Sequence, residues 1–150
     1  MIRRSIAFLV LALSGCDYGQ HNPPERKSGI PETAVWAGGV DGGSWIQCTR
    51  EHGIEYSCAI YNDYTGHILA KGTFLHRKLT YDADERKTEV VSLEGQQKLP
   101  PYVHYDGIFI HLAGEEALVP DGIIMSPFDH EHGKKQQFTN GKEVGDEVQY

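Results

Sequence analysis

The sequence predicts an all-β domain, a mainly antiparallel meander or a small barrel or sandwich with at most one short helix. Three observations predict it. Short runs rich in aromatic and β-branched residues, such as Ser44-Trp45-Ile46 and Thr88-Glu89-Val90-Val91, recur along the chain between turn residues. Glycine is abundant, 17 of 150 residues, and clusters where those runs stop. Apolar residues at helical spacing are scarce after the first fifteen positions.

The first element is a leader. Arg3 and Arg4 precede the apolar run Ile6 to Leu13, which is too short to span a bilayer as a helix, and small residues follow it. The pattern reads as a secretory signal peptide over residues 1–15. Its end, Leu13-Ser14-Gly15-Cys16, resembles the lipobox of bacterial lipoproteins: a leucine, two small residues and a cysteine. That resemblance implies a diacylated Cys16 that becomes the mature N-terminus, and so attachment to the cell envelope on its periplasmic side. Two or more acyl chains anchor stably where one binds reversibly. By the same resemblance, Asp17 sits where enterobacterial lipoproteins carry an inner-membrane sorting signal. The expected partner through the lipid is therefore the membrane.

Residues 16–32 are polar and turn-rich, with Gly19, Asn22-Pro23-Pro24, Ser28-Gly29 and Pro31, and are expected to be a flexible tether. Residues 33–150 are then enough for a single domain. The leader holds two of the fourteen basic residues and none of the twenty-one acidic ones, leaving twelve positive against twenty-one negative charges, a mature net charge of −9. This acidity argues against nucleic acid as a partner, because phosphates call for a basic face.

Thr33-Ala34-Val35-Trp36 is the first expected ordered element, stopped by Gly38-Gly39. Next, Gly42 to Thr49 and Glu55 to Tyr61 read as two strands flanking His52-Gly53. With Gly53 at the tip of a hairpin, opposed residues have numbers summing to 106. Cys48 then faces Cys58, Ile46 faces Ile60, and Trp45 faces Tyr61. Opposed side chains stand about 4.5–5.5 Å apart, within the span of a disulfide. An exported protein can form one, and with Cys16 assigned to lipid the two remaining cysteines make an even set. The rival reading is a reactive thiol or a Cys–His metal pair using His52, but the spacing matches no zinc pattern.

Asn62 to Gly66 is expected to turn, and His67 to Leu75 to form a strand with Gly72 as a bulge. Asp82 to Lys87 is charged, suited to a loop or one helical turn, and Thr88 to Leu93 returns as a strand. Further short strands follow at Tyr102 to Tyr105, Ile108 to Leu112, Leu118-Val119 and Gly122 to Met125. Tyr64-Thr65-Gly66 to Phe74, and Phe138-Thr139-Asn140-Gly141-Lys142 to Tyr150, faintly resemble the hairpins of MORN-type repeats. Asn-Gly supplies the positive φ of a tight hairpin, which explains the likeness without a shared function.

Chemistry-bearing patterns are few. The densest is Asp129-His130-Glu131-His132: if extended, His130 and His132 point to one side and could meet a divalent metal. Pro127 and Gly133 bracket it as a loop, which favours solvated side chains over a metal site. Ser44 follows two glycines, but nothing resembles a nucleophile elbow. Carboxylates are scattered, so a glycosidase-like pair would have to be assembled by the fold. His67, His76, His104 and His111 lie in or beside strands. No catalytic residue and no cofactor is assigned. The reading is a lipid-anchored binding or interaction module of the cell envelope, with Tyr61, Tyr64, Tyr102 and Tyr105 as candidate contact residues and an envelope protein as candidate partner. The alternatives are an inhibitor or immunity protein against an envelope-targeting enzyme, and a small metal- or carboxylate-dependent hydrolase.

Overall fold

A computed structural model describes residues 22–94 and 97–150. Residues 1–15, expected to be a signal peptide, and Cys16 and Asp17 lie outside these. No helix occurs among the described residues. Eleven strands make one antiparallel sheet: β1 (Val35–Gly39), β2 (Gly42–His52), β3 (Glu55–Asn62), β4 (Ile68–Asp82), β5 (Lys87–Ser92), β6 (Tyr102–Tyr105), β7 (Ile110–Leu112), β8 (Glu116–Pro120), β9 (Gly122–Pro127), β10 (Gly133–Thr139) and β11 (Lys142–Gln149).

The main path runs β1-β2-β3-β4-β8-β7-β6, and the sheet curls until β6 lies against β1 and β2 without forming a ladder with either. Apolar side chains alternate along its strands, so one face can turn inward. That inner face buries Ile46, Cys58, Ile60, Phe74, Ile110 and Leu118 in one core. Two appendages leave β4. β5 extends it into a two-stranded arm, Arg77↔Ser92 to Asp82↔Lys87, and β9-β10-β11 join it through Lys71↔Met125. Asp82 to Lys87 is thus the turn of a hairpin rather than a helical turn: Asp82 Oδ1 accepts the N–H groups of Asp84 and Glu85, and Arg86 takes a φ of +54°.

The β2–β3 hairpin has the register the sequence predicts. Ser44↔Asn62, Trp45↔Tyr61, Ile46↔Ile60 and Cys48↔Cys58 all sum to 106, with a shift after Arg50. Cys48 and Cys58 form a disulfide, their Cα atoms 4.1 Å apart. Since successive residues face opposite ways, the cysteine and isoleucine pairs enter the core while Trp45 and Tyr61 face outward. They are buried nonetheless, in a second cluster with Ile30, Ala34 and Trp36.

That cover comes from residues expected to be tether. Arg26 donates to the carbonyls of Pro31 (2.6 Å) and Ala34 (3.1 Å), and its guanidinium lies 4.3 Å from the centre of the Trp45 ring. A cation over the face of an indole is attracted by the ring quadrupole. Packed structure therefore begins at Arg26, ahead of the expected start at residue 33. Gly72 likewise departs from expectation. The irregularity in β3–β4 falls between Ile60 and Tyr61, where Ala70 and Ile68 are the partners, and Gly72 pairs regularly with Cys58. Glycine is needed there for another reason: at a φ of +157°, a Cβ would meet Ile124 Cδ1 at 2.6 Å and the Ile123 carbonyl at 2.7 Å. It is the point where β9 crosses close over β4.

Candidate functional site

That crossing creates a groove. On β3, Ser57, Ala59 and Tyr61 project to the outer face; on β9, Ile123, Met125 and Pro127 share one side, two residues apart. Two hollows follow this line. The first, about 390 Å³, is lined by Gln47, Thr49, Ser57, Ala59, Lys71, Ile123 and Met125. The second, about 420 Å³, is bounded by Tyr61, His67, Ile68, Pro127, Phe128 and His130. Ile123 and Phe128 remain about half exposed, at 51% and 55%. An apolar wall beside hydroxyl, amide and ammonium groups is the usual make-up of a binding surface.

The loop Asp129 to His132, weighed above as a metal site and read as solvated, stands at the end of this groove. Asp129 Oδ1 accepts the N–H groups of Glu131 and His132, both at 2.8 Å, and His132 Nδ1 lies 3.2 Å from the same carboxylate. These backbone bonds, chiefly, hold the Asp129 carboxyl below its ordinary range. His130 instead turns to the second hollow. The two histidines are thus held apart in function, one capping its own loop and one on the groove rim. Among the described residues, the group of potential ligands whose atoms all converge is Asp82, Glu85 and Glu89 at the tip of the β4–β5 arm. Lys87 already bridges two of them, at 2.8 Å from Glu85 and 3.4 Å from Glu89.

Of the four tyrosines expected at a contact surface, Tyr64 alone stands well out of the fold, at 77% exposed. Tyr61 packs in the outer cluster. Tyr102 and Tyr105 pack against the inner core; burial pushes the Tyr102 phenol up and that of Tyr105 up to about 12. The sequence pattern misled because alternation shows that a residue leaves one face, while a neighbouring segment decides whether the other face is covered.

The fold assembles two polar pairs that sequence spacing did not reveal. His76, wholly buried on β4, meets Glu116 of β8 across 2.5 Å, although 40 residues separate them in the chain. They are diagonal neighbours, since His76 pairs with Leu118. The His76 ring stands T-shaped to that of Tyr56, ring centres 6.4 Å apart, and the Tyr56 hydroxyl accepts from Arg50 at 2.9 Å. In the β6–β7 hairpin, His104 and His111 are opposed and stacked, ring centres 4.5 Å apart and 9° from parallel. His111 Nε2 lies 2.7 Å from Asp106 Oδ2. Parallel imidazoles carry their lone pairs in separate planes, a poor arrangement for sharing one metal ion. Ser44 is buried opposite Ala37, and the disulfide leaves neither Cys48 nor Cys58 as a thiol for His52.

Fold and groove together define a class, an all-β domain stapled by one cross-strand disulfide and carrying an open groove on its outer face. The chain matches no protein-family model, no curated protein and no solved structure.

Proposed function

We propose that this chain is a lipid-anchored binding module of the bacterial cell envelope, and that its groove receives an extended, partly apolar segment of an envelope protein. The observation that carries the reading is the line of Ile123, Met125 and Pro127 facing Ala59 and Tyr61, with Phe128 exposed at its end. Side chains repeating every second residue along both walls suit a ligand of the same period. Anchorage rests on the lipobox-like Leu13-Ser14-Gly15-Cys16.

The test places a photo-crosslinking residue at Ile123 in living cells, with the same residue at Val144 of β11 as control. One dominant protein adduct at Ile123, absent at Val144, removed by Phe128→Asp and indifferent to chelation, is the expected outcome. No adduct at Ile123, or an adduct lost on chelation, would replace groove capture with another reading, the latter with a metal at His130. Anchorage has its own readout. Cys16→Ser should move the protein from the membrane to the soluble fraction and abolish labelling by palmitate.

A further inference from the structure

The two most exposed large apolar side chains among the described residues are neighbours. Val40 is 82% exposed and Tyr64 77%, and they border one hollow with Trp36, Asp41 and Asp63. Both sit on tight turns. Val40-Asp41 is the two-residue link between β1 and β2, followed by Gly42 at a φ of +123°. Tyr64 is held by Asn62, whose Oδ1 accepts the N–H groups of Tyr64 (2.8 Å) and Thr65 (3.0 Å). Tight turns that present a valine and a tyrosine to water gain nothing in folding from doing so.

The position of the chain's entry supplies an occupant. Asn22 and Pro24 line the same hollow. Cys16 is six residues before Asn22, at most about 20 Å of extended chain. We propose that this end of the domain, through Val40 and Tyr64, rests in the headgroup region of the bilayer that holds the Cys16 lipid. The proposal rests on the lipid-anchor reading above. A contact this small is enough because the anchor makes it intramolecular, with a high effective concentration and little further translational freedom to lose. Tyrosine suits the depth, with its ring among acyl-chain ends and its hydroxyl in water. Asp41 and Asp63 beside them keep the end out of the hydrocarbon and select zwitterionic over anionic headgroups. The domain then has a fixed polarity. β4 starts next to this end and runs fifteen residues, about 50 Å of contour, to Asp82 at the arm tip, which faces away from the membrane.

The test uses residues 16–150 with the disulfide intact, so that Cys16 is the one thiol among the three cysteines. It is coupled to a maleimide phospholipid in phosphatidylcholine nanodiscs doped with a gadolinium-chelating lipid. Within residues 33–150, clear of the coupled N-terminal stretch, amide signals of residues 39–42 and 62–66 should broaden most and those of 82–87 least. Val40→Asp combined with Tyr64→Asp should flatten that gradient while leaving the disulfide and the β signal intact. Uniform broadening across residues 33–150 of the unsubstituted protein, strongest broadening elsewhere in that range, or a gradient unchanged by the double substitution would overturn the proposal. Because the coupling is chemical, these outcomes are independent of whether the cell acylates Cys16, which the Cys16→Ser fractionation reads by itself.

Discussion

Around Trp45 and Tyr61, hairpin β2–β3 is covered on both faces, by the core on one side and by Ile30, Ala34 and Trp36 on the other, whereas all eight residues of β11 in hairpin β10–β11 are exposed. The local grammar is equally good in both. β10–β11 turns through Asn140-Gly141, both at positive φ, as a tight hairpin requires. What differs is the origin of the register. In β2–β3 a slip by one residue would expel Ile46 and Ile60 from the core and break the disulfide. In β10–β11 the pairing shifts between Lys135 and Gln137, and three residues of β11, Gly145, Asp146 and Glu147, bulge out opposite Gln136. The Gln136 amide donates to the Val144 and Gly145 carbonyls at that bulge. The turn and one side chain set this register, and the bulge with its charged neighbours blunts a free sheet edge. Burial fixes one hairpin; turn chemistry fixes the other.

The comparison can be broken most forcefully at Ile60. Ile60→Ala should cost about 2–5 kcal/mol in chemical denaturation, against less than about 0.5 kcal/mol for Val144→Ala in β11. Equal costs would show that both hairpins depend on burial alike. Replacing both cysteines with alanine should remove about 2–3 kcal/mol, given a closed loop with a separation of 10 residues, and leave the β signal in circular dichroism unchanged. Asn140→Ala tests the turn. It puts a Cβ residue without a local hydrogen-bonding group at a φ of +49° and loses the 2.8 Å bond from Arg77 to Asn140, for an expected cost of about 1–2 kcal/mol. Retained stability would refute turn-set register.

The smallest effect is a pH dependence at the β6–β7 hairpin. Desolvation, then the neighbouring His111, hold His104 below its ordinary 6.5 against the opposing pull of Asp106. The unfolded chain thus binds a proton more readily than the folded one. Stability is full above about pH 6.5 and declines as pH falls through the folded value of His104. Asp106 acts in the same direction at lower pH. Burial works to raise it, but the hydrogen bonds from His111 and from the Phe109 and Ile108 amides prevail and hold it below 3.8. Melting temperatures between about pH 7.5 and about pH 5 should fall, and His104→Gln should flatten the decline. An unaltered slope would move the titration to another group.

What was legible in the sequence was local. One assumption about Gly53 gave the β2–β3 pairing, the disulfide and the division of Ile46 and Trp45 between faces, because a tight hairpin fixes opposed residues by arithmetic. The Asn140-Gly141 hairpin was legible for the same reason. Long-range placement was not. Nothing near Ile30 says that it covers Trp45, nothing near His76 points to Glu116, and Gly72 looks like a bulge until β9 is known to cross it. The same limit hid the groove, whose walls lie more than sixty residues apart in the chain and are brought together where β9 crosses β4 at Lys71, Gly72 and Met125. The arm was half legible: the turn residues at Asp82 were plain, but the continuation of β4 past Leu75 was lost among the polar residues Arg77, Lys78 and Thr80.

The segment that covers Trp45 and Tyr61 also equips the protein with an optical gauge. The chain has two tryptophans, Trp36 and Trp45, their rings 5.5 Å apart and tilted by 59°, with the Arg26 cation over one of them. Indole transitions this close and this oblique couple as excitons, so the pair has a chiral signature distinct from that of the strands. Residues 26–34 shield both rings. Lifting that segment would let water in, redden the emission and weaken the couplet while the amide spectrum stayed unchanged. Unmodified protein can thus report whether its N-terminal cover is closed.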